Sequence, residues 1–234
     1  MKLYVGTSGY SYKPWKGAFY PRDLPERRML QYYGERLPAV EINSTFYRMP
    51  TASGLANWTE AVPTGFQFVI KAPRSITHER RLGDAAELLG QLVEATTALD
   101  EHQGPLLFQT PPNLKKDVRR LQTFLALLPR PRRTAFEFRH ASWFDDEVFE
   151  ILRAHGAALC IADADDELEV PFQSTADWGY LRLRRPTYGD VDMKGWLDRA
   201  RDAGWTSAFV FFKHEDAGEG PRMALRLQEL ARAS

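Results

Sequence analysis

Cysteine is nearly missing from this sequence. Cys160 is the only one in 234 residues, so no intrachain disulfide can form and a zinc cluster built on cysteines is excluded. It lies in the apolar run from Ala157 to Ala162, where a small buried hydrophobe is the simplest reading. Net charge is missing as well: Lys and Arg number 31, and so do Asp and Glu. No overall field therefore draws the chain onto nucleic acid or an anionic membrane. No apolar stretch approaches the roughly 20 residues needed to cross a bilayer. The N-terminus runs directly into a strand-like segment, Lys2-Leu3-Tyr4-Val5, with no charged and apolar leader before it. The expected location is the cytoplasm, with no membrane partner. No linker or low-complexity tract divides the chain, so one domain over residues 1–234 is expected.

What the sequence does have is alternation. Eight short runs rich in Val, Ile, Phe and Tyr read as strands: Leu3–Gly6, Ala39–Asn43, Gln67–Lys71, Leu106–Gln109, Thr134–Arg139, Ala158–Asp163, Gly179–Arg184 and Ala208–Lys213. Helical patterns lie between them: Glu26–Arg36, Asp84–Glu101, Asp117–Leu128, Asp145–His155, Val191–Ala203 and Pro221–Ala233. Gly156 and Gly204 suit helix stops. Such alternation predicts a parallel sheet with right-handed crossovers, and eight repeats predict closure into a single TIM-type (β/α)8 barrel. A doubly wound open sheet is the alternative topology. Two connections break the pattern. Thr51–Thr64 holds at most a short helix around Gly54–Ala61, and Asp165–Asp177 reads as an acidic loop.

In a barrel of this kind, chemistry sits at the C-terminal strand ends, and strand alternation shows which residues reach it. Val40 and Ile42 should pack outward, which turns Glu41 and Asn43 inward. Lys71 shares a face with Val69. Phe136 and Phe138 take the helix side, leaving Glu137 and Arg139 inside. Leu181 and Leu183 do the same for Arg182 and Arg184. Asp163 ends its strand at the same level. Either Lys213 or His214 faces in at the end of the last strand. The expected mouth thus gathers acids and bases from many strands. Buried charges need partners or a ligand. Structural ion pairs filling the barrel would meet that need without any function.

The loops add a second feature. The first, from Gly6 to Gly17, supplies Ser8, Tyr10, Tyr12 and Trp15. Later loops supply Phe46, Tyr47 and Arg48, then Arg74 and His78, then His140 and Trp143. Exposed aromatics among Lys and Arg form a platform for bases or sugar rings. Taken singly, each ring is better explained as a seal on the barrel rim.

The order of these motifs resembles the domain of unknown function 72 family. The resemblance rests on Gly6-Thr7-Ser8-Gly9-Tyr10 through Pro21, on Glu41-Ile42-Asn43-Ser44-Thr45-Phe46-Tyr47, and on Lys71-Ala72-Pro73-Arg74 with Ile76-Thr77-His78. It continues through Leu107-Phe108-Gln109, Glu137-Phe138-Arg139-His140 with Ser142-Trp143, and Tyr180-Leu181-Arg182-Leu183. It implies a (β/α)8 barrel and no settled activity. The family's usual aromatic-Asn-Asn-Asp end to strand eight is replaced here by Phe212-Lys213-His214-Glu215. Members resemble endonuclease IV in shape, which implies a nucleic-acid role. That enzyme type needs several zinc ions, and five histidines, two of them (His102 and His155) at helix ends, do not supply the ligands. No cofactor is expected. A single divalent ion on Glu41, Glu137, Asp163 or His214 is the one metal reading left.

Three functional readings follow. In the first, an enzyme acts on a phosphorylated, nucleotide-like or sugar-like ligand. Glu41 or Glu137 would be general base, Lys71 would stabilise negative charge, His78 would transfer a proton, and Arg139 and Arg182 would hold an anionic group. In the second, the aromatics stack bases and Lys13, Lys16, Arg48 and Arg74 meet phosphates of a nucleic acid that is bound but not cleaved. In the third, the barrel is a scaffold or interaction protein.

Overall fold

The computed structural model describes residues 1–165 and 168–233. Eight parallel strands close into a ring in chain order: β1 (Lys2–Ser8), β2 (Ala39–Ile42), β3 (Gln67–Lys71), β4 (Gln103–Gln109), β5 (Thr134–Glu137), β6 (Ala158–Asp163), β7 (Trp178–Leu183) and β8 (Ser207–Phe212). Closure comes from β8 pairing with β1, from Lys2 opposite Ser207 to Thr7 opposite Phe212. The barrel is therefore the TIM type, and the open sheet is excluded.

Among the described residues seven α-helices surround it: α1 (Met29–Gly34), α2 (Ala52–Thr59), α3 (Ala86–Thr96), α4 (Val118–Ala126), α5 (Asp146–His155), α6 (Asp190–Asp202) and α7 (Glu219–Ala233). Local chemistry sets their ends. Asp117 accepts from Arg120 N at 3.0 Å and caps α4. Asp145 accepts from Glu147 N at 3.1 Å and caps α5, which stops at Gly156 in the left-handed region at φ 63°. The helix expected over Asp84–Glu101 is shorter than its pattern: Asp84 adopts φ 44° before α3 begins, and after Thr96 the chain passes into a 3-10 turn, Thr97–His102, in which Asp100 adopts φ 45°. No helix lies between β6 and β7 among the described residues. Two residues of that expected loop, 166 and 167, lie outside them.

Strand alternation divides the core in two. Outward residues such as Val40, Ile42, Phe68, Ile70, Phe136 and Leu181 pack under the helices. Inward residues fill the barrel: Tyr4, Val69, Leu107, Cys160, Trp178, Phe209 and Phe211 among them. Tyr4 stacks on Phe209 with ring centroids 4.6 Å apart. This apolar plug fills the middle of the barrel, and the inward-facing charged residues Glu41, Lys71, Glu137 and Arg182 lie above it toward the C-terminal end. One seam is tight. A side chain at Gly6 would meet the Ala39 carbonyl oxygen at 1.9 Å, and there Tyr33 of α1 donates to Ala39 O at 3.0 Å and accepts from Thr7 N at 2.8 Å.

Candidate functional site

Above the plug, one guanidinium on β7 joins two carboxylates, one from β2 and one from β5. Arg182 Nη2 lies 2.8 Å from Glu41 Oε1, and its Nη1 lies 2.5 Å from Glu137 Oε2. Both glutamates are fully buried and Arg182 is 2% exposed. Glu41 also accepts from Ser8 Oγ at 2.7 Å, Asn43 Nδ2 at 3.2 Å and Tyr180 OH at 2.6 Å. Glu137 accepts from Gln109 Nε2 at 2.8 Å and Arg139 Nη1 at 3.2 Å. Burial opposes ionisation of both acids, but Arg182 and these donors outweigh it. Glu41 is held below the usual carboxylate range, and Glu137 is lowered to about 2. Arg182 is driven the other way: burial disfavours its charge, yet Glu137 and Glu41 raise its pKa well above the ordinary value.

Lys71 ends β3, on the far side of the ring from β7. Its side chain is buried at 9% exposure. Its Nζ stands 4.3 Å from the centre of the Phe46 ring. Among the described residues no carboxylate or hydrogen-bond acceptor reaches that nitrogen. Burial first, then the charge of Arg182, lowers its pKa to about 8, with Glu137 and Glu41 opposing from a distance. His78 leaves the same loop in a π-helical turn, Ser75–Glu79, a form often found at functional positions. Its ring packs edge-on to Phe46 at 4.9 Å and its Nδ1 meets Thr77 Oγ1 at 2.9 Å. Burial and then Lys71 and Arg74 lower its pKa, so it stays neutral at pH 7.

These groups open into a cleft of about 570 Å³ whose lining includes Tyr12, Asn43, Phe46, Tyr47, Lys71, His78, Gln109 and the cations Arg139, Arg182, Arg184 and Lys213. Arg184 Nη1 has no hydrogen-bond partner and lies 3.8 Å from Glu137 Oε1. Lys213 is the inward residue after β8. His214 turns away and donates through Nε2 to Arg185 O at 2.5 Å.

Several sequence expectations change. Asp163 shares the outward face with Ile161, and pairs with Arg185 Nε at 2.9 Å outside the cleft. Trp15 and Trp143 are fully buried. Trp15 donates to Glu215 O at 3.0 Å, and Trp143 stacks on Phe138 at 4.5 Å and donates to Leu114 O at 2.7 Å. Neither can stack a ligand. Tyr10 packs toward Tyr33, and His140 accepts from Ser142 N at 3.1 Å to cap a turn. Arg48 is exposed and lines a separate groove with Met49 and Trp58; exposed Arg74 pairs with Glu79 at 3.1 Å. The general-base role expected of Glu41 or Glu137 suits neither carboxylate, since each is held ionised by three or more donors. Those same donors oppose a metal at the two acids, and among the described residues no group of three or more His, Cys, Asp or Glu could hold one. Sequence reading missed Tyr180 and Gln109. Both share the inward alternation of Arg182 and Leu107, which was the available signal.

Among the described residues no helix is long and apolar enough to cross a membrane. Comparison with solved structures gives full-length likeness. A DUF72 family protein of Thermotoga maritima (TM1631) matches with a TM-score of 0.87 and 26% identity, over 99% of this chain and 100% of that one. One of Enterococcus faecalis (EF0366) matches at 0.82 and 20%, over 99% and 96%. The Escherichia coli 3-keto-D-glucoside 4-epimerase YcjR shares the fold at 0.58 and 12%, over all of both chains. By sequence, UPF0759 protein YunF of Bacillus subtilis is 28% identical over 69% of this chain, and UPF0759 protein YecE of Escherichia coli K12 is 24% identical over 61%. The matches span 60% and 50% of those two relatives. A profile described as "Protein of unknown function DUF72" matches residues 4–234, so with the barrel and its ordered motifs the chain belongs to the DUF72 family.

Proposed function

We propose that the mouth binds a small anionic ligand, phosphorylated and nucleotide-like or sugar-like, and performs proton transfer on it. The observation that carries this reading is Lys71. Burial of the residue disfavours its charge, and its ammonium, with no carboxylate beside it among the described residues, opens onto a cleft that also presents Arg184 and Lys213. A bound anion would supply the missing partner. With a pKa of about 8, Lys71 can give and take a proton near neutral pH, and neutral His78 stands beside it. Glu41 and Glu137 act as counterions that orient Arg182 toward the ligand. The nucleic-acid reading loses two of its stacking rings, Trp15 and Trp143, to the core.

The test is calorimetric titration with inorganic phosphate, sugar phosphates, nucleotides and short single strands at low salt. Binding of a small phosphate that weakens at least tenfold in Lys71→Met supports the reading. Binding that is unchanged in that variant, or seen for strands alone, overturns it.

A further inference from the structure

We propose that Lys71 forms a Schiff base with the carbonyl group of a small anionic aldehyde or ketone held in the mouth. This rests on the anion-binding reading above and adds a substrate class and a covalent step to it.

The placement of one nitrogen carries the argument. A lysine kept for a salt bridge has its carboxylate nearby. Here both buried carboxylates are committed to Arg182, at 2.8 and 2.5 Å, and among the described residues Nζ has no hydrogen bond or ion pair and stands over the face of Phe46, at 4.3 Å. The amine is thus held at the cleft wall with its lone pair, once deprotonated, free to attack. Desolvation makes that form accessible, as in other nucleophilic lysines. At pH 7 a pKa of about 8 leaves roughly 300 times more free amine than the ordinary value of 10.5 would. Arg184 and Lys213 line the same cleft and would seat the phosphate or carboxylate end of the ligand. Its carbonyl end would then reach β3, where the Phe46 ring meets both Nζ and the His78 imidazole.

The step balances without an oxidant or reductant. Nζ forms the C–N bond while the carbonyl π pair moves onto oxygen. A nitrogen proton passes to that oxygen, giving a carbinolamine. The proton that the Lys71 ammonium gave up before the attack, returned to the carbinolamine oxygen, lets that oxygen leave as water, and an iminium with one positive charge remains. Neutral His78 is the group placed to carry these protons. The positive charge at this position is the same before and after, so Arg182, Glu41 and Glu137 need not rearrange.

Pyridoxal 5′-phosphate, an aldehyde bearing a phosphate, is a suitable probe. The whole protein is mixed with it at one equivalent and reduced with borohydride, which adds hydride to the iminium carbon and fixes the adduct. Peptides are then mapped by mass. Expected is labelling of Lys71 ahead of Lys213 and the exposed lysines, suppressed at least tenfold by excess inorganic phosphate and lost in Lys71→Arg. The rate should rise with a midpoint near pH 8, and His78→Gln should slow it without moving the labelled position. Labelling spread over exposed lysines with Lys71 unmodified, while phosphate still binds, overturns the Schiff base and leaves the anion site standing. Failure of both labelling and phosphate binding removes both.

Discussion

Two sides of one barrel mouth treat a buried cation in opposite ways. On β7, Arg182 is enclosed by two carboxylates and their donors. On β3, across the ring, Lys71 is less deeply buried, at 9% exposure against 2%, and among the described residues its ammonium meets the Phe46 ring and no carboxylate. Both residues occupy the last inward position of their strands, so alternation does not explain the contrast. Compensation does: the acids lie within reach of the planar, forked guanidinium and out of reach of the ammonium. A buried charge already balanced by two carboxylates needs no ligand to compensate it, and one with no carboxylate beside it is where an anion gains most.

The strongest way to break this comparison is at Arg182. Arg182→Met strands two buried carboxylates and should destabilise by about 3–5 kcal/mol, read as a large drop in denaturation midpoint or failure to fold. Glu137→Gln tests the same network from the other side. With its folded pKa lowered to about 2, Glu137 adds stability above pH 4.5 that is lost as pH falls toward 2. The variant should therefore lack part of the wild-type stability loss in that window.

Lys71→Met should act in the opposite sense. Removing a charge that burial disfavours should stabilise by about 1–3 kcal/mol at pH 7 while weakening phosphate binding at least tenfold. Its folded pKa is depressed, so the unfolded chain binds more protons between about pH 8 and 10.5. Wild-type stability should rise through that interval relative to the variant, and the gap between them should close. Melting curves of both proteins across that range measure it. The smallest effect belongs outside the mouth. Asp163→Asn breaks a part-exposed pair with Arg185, and should cost under about 1 kcal/mol with phosphate binding unchanged.

Much of this was readable from sequence, for physical reasons that also explain the failures. The period-two pattern around Val40-Glu41-Ile42 and Phe136-Glu137-Phe138 placed both acids inside before any coordinates. The same rule points Asp163 outward, because it shares the face of Ile161, so a strand-end position alone does not put a side chain in the mouth. Loop aromatics follow no such period. Trp15 and Trp143 look alike in sequence to Tyr47, yet the tryptophans fold back over the outer core and Tyr47 stands 77% exposed. The difference depends on carbonyl acceptors at Glu215 and Leu114, distant in the chain from Trp15 and Trp143. Which acid each cation would meet was equally hidden, since the Arg182–Glu41 contact joins residues 141 positions apart.

The most direct test is a carbon-13 titration of the eight lysine side chains, with Lys71 assigned by loss of its signal in Lys71→Arg. An unpartnered buried ammonium predicts a midpoint near pH 8 that moves upward when phosphate is added. A midpoint near 10.5, indifferent to phosphate, would contradict it.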